Sequence, residues 1–298
     1  MVSKDLTYPT ESNVAPRVNE FKRFRRVFLG RGVVIFGLIV LIIVILLAIF
    51  APLVAPYNPN KQDLNNTLLN PTHSHLLGTD IFGRDLLSRI IYGARTSLLI
   101  GLSVVIISSV TGMILGLIAG YFGRWSFTII MRVMDALMTF PMIILALVIA
   151  SLLGNGLKNV IIALTVSVIP VYTRLMCAQV LSAKQNDYVT ACRSTGCGNF
   201  RILAIHILPN CLPPFIVLIT MMLGSVILAE AGLSFLAIGI APPTAAWGNM
   251  IAEARPYLFT NPTLSLIPGV AIMLVVFSFN MVGDGLRDAL DPRLRGTI

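Results

Sequence analysis

The chain has 298 residues, 56% of them hydrophobic and only 12% charged, with a formal net charge of +9. Soluble domains carry roughly twice that share of charge, about 25%, and the mean hydropathy is +0.86; disorder, fibrous architectures and ordinary soluble enzymes are excluded, and an integral membrane protein is left. The excess of 22 Lys and Arg over 13 Asp and Glu fits cytoplasmic loops that set topology and face anionic lipid, without any call for nucleic acid.

Residues 1–32 form a basic tail with Lys4, Arg17, Lys22, Arg23, Arg25, Arg26 and Arg31. The first apolar stretch, Val33–Ala55, is uncharged and too long for the apolar region of a signal peptide, so it reads as a retained anchor helix. A polar loop, 56–94, follows; its His73-Ser-His75 pair is expected to be solvated. The second span, Thr96–Gly120, carries Gly112, Gly116 and Gly120 at a spacing of four, which permits close helix packing, expected within the chain. The third span, Ser126–Leu153, contains Arg132, Asp135 and Pro141; Arg132 and Asp135 at i, i+3 are expected to pair. Met131, Met134, Met138 and Met142 lie on one rough stripe there, expected to pack in the core or at a subunit seam.

The fourth span, Asn159–Leu181, holds Pro170 and Arg174. A long polar loop, 182–210, leads to the fifth span, Cys211–Ala229, which ends at Glu230. The broken apolar segment Gly232–Met250 is expected to form a plug or short helix, and Leu264–Val282 is the sixth span, with Pro268 inside it. No stretch alternates with period two, so a β-barrel is out and the fold class is all-α with six transmembrane helices. A core of 95–284 and a short tail, 285–298, complete the division.

Six spans return the carboxyl end to the side of the amino end. With both termini cytoplasmic, sixteen basic residues fall inside and six outside, as the positive-inside rule requires. Cys177, Cys192, Cys197 and Cys211 then lie on or beside the cytoplasmic loop 182–210, where reduced, structural thiols are expected. No phosphate-binding G-x-x-x-x-G-K-[ST] motif and no H-E-x-x-H motif occurs, and three histidines on opposite membrane sides make no catalytic set. The charged groups nearest the membrane, Asp135, Arg174, Glu230 and Asp284, read as span-end residues, so the chain is expected to be a pathway whose energy comes from a partner. Asp135 and Glu230 are the candidates for a gate or pathway lining; for Glu230 the competing reading is a structural hydrogen bond.

The loop 182–210 supplies the missing link. Residues 187–195 can form a helix with Tyr188, Ala191, Cys192 and Thr195 on one face, Arg193 and Arg201 off it, and Gly196 and Gly198 ending it. This segment resembles the "EAA" loop of ATP-binding-cassette (ABC) importer permeases. Thr190 stands at its Glu, Ala191 and Cys192 at its two Ala, Gly196 at its Gly and His206 at its Ile, with Leu208 and Pro209 closing the motif; Thr190, Cys192 and His206 depart from the pattern.

A second block, Leu77-Gly78-Thr79-Asp80 through Gly83-Arg84-Asp85 to Ser88-Arg89, then Gly93-Ala94-Arg95-Thr96-Ser97-Leu98, resembles the second permease subunit of dipeptide and oligopeptide importers. So do Gly232–Gly239 with Pro242-Pro243 and Trp247-Gly248, and the ending Gly283–Arg293.

The resemblance implies a type I ABC importer transmembrane fold in the bacterial plasma membrane and import of peptides, with nickel chelates, glutathione or opines as alternatives. It implies a heterodimer with a paralogous permease, two cytoplasmic ATPases that hold ATP and Mg, and an extracytoplasmic substrate-binding protein. No cofactor is implied in this chain. Tyr188, Ala191, Cys192, Arg193, Thr195, Gly196, Leu208 and Pro209 are the implied ATPase-coupling residues.

Overall fold

The computed structural model describes residues 20–290; the first part of the basic tail and the end of the carboxyl-terminal tail, with Arg293 and Arg295, lie outside them. Among the described residues the structure is helical, with a single isolated β-bridge between Thr79 and Asp85. The helices are α1 (Glu20–Leu29), α2 (Gly32–Ile49), α3 (Ala51–Val54), α4 (Leu86–Phe122), α5 (Arg124–Met138), α6 (Met142–Leu153), α7 (Leu157–Ala183), α8 (Asp187–Ser194), α9 (Asn199–Arg201), α10 (Leu208–Phe235), α11 (Trp247–Ala254) and α12 (Thr263–Leu290).

Among the described residues five stretches are long and apolar enough to cross a membrane: α2, α4, α7, α9–α10 and α12. The expected third span is broken. α5 and α6 meet at 89°, because Pro141 lacks an amide hydrogen and pushes Phe140 out of the helical region. That α5–α6 nevertheless returns the chain across the layer follows from α4 and α7. A Cβ built on Gly112 would lie 2.5 Å from Tyr172 Cβ, one on Gly116 2.6 Å from Met176 Cβ, and one on Gly120 2.8 Å from Val180 Cβ. The residue numbers rise together, so α4 and α7 are parallel, and two parallel helices need a return crossing between them. The glycine stripe thus packs within the chain, as expected.

α10 and α12 are antiparallel, with Gly224 against Val276 and Gly283 against Met221; α2 runs antiparallel to α12, with Gly37 against Ser278 and Gly285 against Val34. An Arg31–Asp288 ion pair joins the α2 start to the α12 end. One end of the bundle therefore gathers the start of α2, the ends of α4, α7 and α12, and α8. The other end gathers the loop before α4, and α11. α2 uses one narrow stripe, Val34, Gly37, Leu41 and Ala48, for packing and leaves Ile39, Ile42, Leu46 and Ile49 exposed, as a helix facing lipid does.

α4 has 37 residues, which is about 55 Å of helix against a hydrocarbon core of about 30 Å. It starts ten residues before the expected span, capped by Asp85, whose carboxylate accepts from the Ser88 amide at 2.8 Å.

Candidate functional site

The loop after α7 builds a small structured unit. α8 covers Asp187–Ser194, and Gly196 follows with φ +78°, the left-handed turn that glycine makes without strain. The segment continues through α9 into a π-helical turn, Ile202–Ile207, and then α10. Pro209, Pro213 and Pro214 lack amide donors, which loosens the ordinary helical ladder here. Asn210 Nδ2 donates to the His206 carbonyl at 2.7 Å and to Tyr188 Oη at 3.4 Å, tying α10 to α8.

Of the face expected to meet a partner, Tyr188, Ala191 and Thr195 are exposed, with Thr190, Arg193, Gly196 and Pro209 also open. Cys192 is the correction: it is half-buried and packs with the core, and the residue that seats the helix is Val189, fully buried and not anticipated. Leu208 and His206 are partly buried. Arg193 does lie off the exposed face, but its guanidinium sits 5.5 Å from the Tyr121 ring centre.

Tyr121, at the end of α4, is the hub that the sequence did not announce. Its hydroxyl donates to Asn199 Oδ1 at 2.8 Å, and its carbonyl accepts from Lys184 Nζ at 2.8 Å. So Arg193 of α8 and Asn199 of α9 meet α4 at Tyr121, Lys184 fastens the end of α7 to the same residue, Asn186 at the start of α8 donates to the Ala183 carbonyl of α7, and Asn210 ties α10 to α8. Beside α8 a polar groove of about 220 Å³ is lined by Gln179, Ser182, Ala183, Asn186, Tyr188 and Asn210. A larger opening of about 510 Å³ lies between α7, α10 and α12, with Leu175, Gln179, Pro213, Val217, Met221 and Arg287 in its wall.

At the opposite end the Thr79–Arg89 block folds into a locked cap. Arg84 Nε donates to Asp80 Oδ2 at 2.6 Å and Arg84 Nη2 to Glu253 Oε2 at 2.5 Å. Arg89 lies 3.4 Å from the same Asp80 oxygen and 3.6 Å from the same Glu253 oxygen. Its Nη1 donates to the carbonyls of Pro59 and Pro243 at 3.3 and 3.4 Å. Two arginines and two carboxylates thus hold the loop, α4 and α11 together with charges balanced. His75 is not the solvated half of a pair: its Nδ1 is 2.9 Å from Asp85 Oδ1 and its ring packs on Tyr57 at 4.8 Å, while His73 is exposed. Among the described residues no three His, Cys, Asp or Glu converge on a metal position, and all four cysteines are free.

Inside the bundle one of two readings is taken and one expectation is overturned. Glu230 makes the structural hydrogen bond and does not face an open surface. It is 1% exposed and accepts from Ser234 Oγ at 2.8 Å and Ser97 Oγ at 3.4 Å, which makes it a structural link between α10 and α4. Asp135 does not pair with Arg132; its partner is Arg174 of α7, which donates Nη2 to Asp135 Oδ1. Neither residue of that pair stands at a span end, since Arg174 lies near the middle of α7. Of the methionine stripe, only Met134 is buried in the core, whereas Met138 is exposed.

Six crossings, one of them broken, with a structured loop at one end and a charge-locked cap at the other, define a polytopic α-helical transport permease. The chain belongs to the family of binding-protein-dependent transport system inner membrane components, whose model matches residues 112–296. A second model, the N-terminal transmembrane domain of oligopeptide transport permease C, matches residues 20–71.

A putative peptide transport system permease of Brucella suis is 47% identical over 259 residues, 87% of each chain. A di/tripeptide transport system permease of Pseudomonas aeruginosa is 45% identical, covering 87% of this chain and 88% of its own. A glutathione transport system permease of Escherichia coli is 41% identical, covering 93% and 90%. Among solved structures, a chain of the MetNI methionine ABC transporter in inward-facing conformations superposes with a TM-score of 0.55 at 19% identity, covering 69% of this chain and 98% of that one. The type I ABC importer fold is therefore the fold of this protein.

Proposed function

We propose that the chain is one of two paralogous membrane subunits of an ATP-driven importer that carries short peptides across the bacterial plasma membrane. In this reading the partner permease completes the pathway and two ATPases holding ATP and Mg sit below α8. A binding protein delivers substrate to the capped end. Both termini and α8 are cytoplasmic. The names of the relatives and the basic residues of the amino-terminal tail support the reading.

The observation that carries it is α8: an exposed patch of small side chains around Ala191, flanked by Tyr188, on a helix that meets α4 through Arg193 on the Tyr121 ring, α7 through Asn186 on the Ala183 carbonyl and α10 through Asn210. Small side chains let a partner backbone approach closely, and Tyr188 can anchor in a partner pocket. ATP-driven closure of the ATPases would displace α8, and its ties would hand that displacement to three spans at once, opening and closing the gap to the partner subunit.

The test is reconstitution with partner permease, ATPases and binding protein. Peptide-loaded binding protein should stimulate ATP hydrolysis and uptake. Ala191→Arg should insert and assemble yet transport at a small fraction of the normal rate, because a long charge would be desolvated in the partner cleft. Normal uptake by Ala191→Arg would refute the assignment. The glutathione-named relative favours one second reading, a glutathione importer; the ligand that stimulates hydrolysis separates the two.

A further inference from the structure

The Asp135–Arg174 pair has a depth, an exposure and a set of neighbours that the packing of the bundle does not call for. Its depth follows from three helices. Arg174 is nine residues from the carboxyl end of α7, Gly112 packs against Thr173 and is ten residues from the end of α4, and Asp135 is eleven residues into α5. At 1.5 Å per residue these place the pair about 14–17 Å from the α8 end of the bundle, inside the membrane-crossing helices α4 and α7. Yet the two side chains are 45% and 47% exposed. Charges at that depth do not face lipid; they face a partner or a water-filled path.

The pair is also unfinished. Arg174 spends one of its guanidinium donors on Asp135 Oδ1, and neither side chain makes another side-chain hydrogen bond among the described residues. The remaining donors of Arg174 and Oδ2 of Asp135 are free to accept a second set of partners. On α5, Met131 and Met138 stand at i−4 and i+3 from Asp135, so they share its face; Met138 is exposed and Met131 half-buried. Flexible thioether side chains adapt to many shapes.

We propose that Asp135 and Arg174 form a charge-exchange station on the pathway wall for zwitterionic substrates, an inference that rests on the peptide-importer reading. A substrate carboxylate moves onto Arg174 while its ammonium moves onto Asp135. One internal ion pair becomes two ion pairs with the substrate, and no charge is left bare inside the membrane. Release re-forms the internal pair. The station reads only the charges, and the flanking methionines accommodate side chains of any shape, as a carrier of diverse peptides requires. The competing role, a clasp that merely fastens α5 to α7, makes a different prediction.

The experiment uses the complete transporter in proteoliposomes with binding protein saturated by a lysine-containing or an aspartate-containing tripeptide, so that delivery is equal. Arg174→Gln leaves an anionic wall and should raise the cationic-to-anionic uptake ratio about fivefold; Asp135→Asn should lower it by a similar factor, as an exposed ion pair would. The reversed pair, Asp135→Arg with Arg174→Asp, keeps an ion pair at the same place and guards against loss of assembly. A ratio unchanged in both single variants overturns the station. If only the reversed pair assembles, Met138→Lys, which keeps the pair and adds a charge on its face, takes the place of the single variants, and an unchanged ratio there leaves a clasp. Wild-type uptake of neither peptide, with hydrolysis stimulated by another ligand, would instead bring down the peptide reading itself, and the station with it.

Discussion

Removing the Arg84 side chain tests the locked cap. Arg84 is 1% exposed and bridges Asp80 and Glu253 at 2.6 and 2.5 Å. In Arg84→Ala both carboxylates remain, facing Arg89 alone at 3.4 and 3.6 Å. Breaking a buried pair by removing one partner costs about 3–5 kcal/mol. Because every ~1.4 kcal/mol is tenfold in an equilibrium, local opening of the loop should rise by roughly two to three and a half orders of magnitude. The reporters are amides bonded inside that loop: Asp63 to the Phe82 carbonyl, Leu68 to Asp80 and Asp80 to Arg84, at 3.0–3.1 Å. Their hydrogen exchange in detergent or nanodiscs should accelerate accordingly, while amides in the middle of α7 keep their protection. Arg84→Lys, which retains the charge without the fork, should fall between. Loop amides exchanging within about threefold of wild type in Arg84→Ala would refute the reasoning, because a surface ion pair is worth only that little.

The remaining predictions concern packing, coupling and topology. Gly116→Val should destabilise by about 1–3 kcal/mol, since its Cβ would lie 2.7 Å from the Thr173 carbonyl oxygen and 3.0 Å from the Cys177 nitrogen. Gly269→Val, with open space around it, should leave thermal stability in detergent nearly unchanged, and equal losses in the two would refute the close packing. Tyr121→Phe removes the hydrogen bond to Asn199, worth about 0.5–1.5 kcal/mol, and should lower substrate moved per ATP modestly; Tyr121→Ala, which also removes the ring under Arg193, should lower it further. In a background without the four native cysteines, a cysteine at exposed Asn65 should react in intact cells with a membrane-impermeant thiol reagent. One at exposed Asn186 should react only after the membrane is opened, and the reverse pattern would overturn the orientation.

The sequence made the spans legible because hydropathy adds along a helix whatever the helix packs against. It made their ends illegible where charge is neutralised in three dimensions. Arg89 and Arg95 read as loop residues, yet α4 already starts at Leu86, because Asp85 caps it and the cap network neutralises Arg89. Hydropathy also carries no angle: Pro141 marked a weak point, but only the parallel register of α4 and α7 shows that the chain turns sharply there and still crosses. Helical spacing proposed Arg132 for Asp135, since i, i+3 rules see one helix at a time; Arg174 is 39 residues away. The same blindness hid Glu253, 169 residues from Arg84, so the Thr79–Arg89 block could be matched to a family but not understood as a lock. The loop 182–210 was the most legible of the structured segments, through its short helix and its Gly196 turn. Val189 was missed because a single buried valine in an eight-residue helix leaves no periodic signal.

A loop can transmit force only into something that does not yield. α4 and α7 meet that demand. Their glycines bring backbone to within side-chain distance of backbone over three turns, and such contacts cannot be compressed further without displacing both helices together. The far end of α4 is held by the cap, through Arg84 and Arg89. A displacement at Tyr121 therefore moves α4 and α7 as one body with the cap riding on it. α5 is attached differently. Met134 is its single buried residue, its polar link to α7 is the Asp135–Arg174 pair, and the break before Pro141 separates it from α6. A segment with one buried residue and one ion pair has few restraints on its position. The pair that would meet the substrate is thus also the polar link that holds α5 to α7, so substrate charge and the position of α5 are linked through the same two side chains.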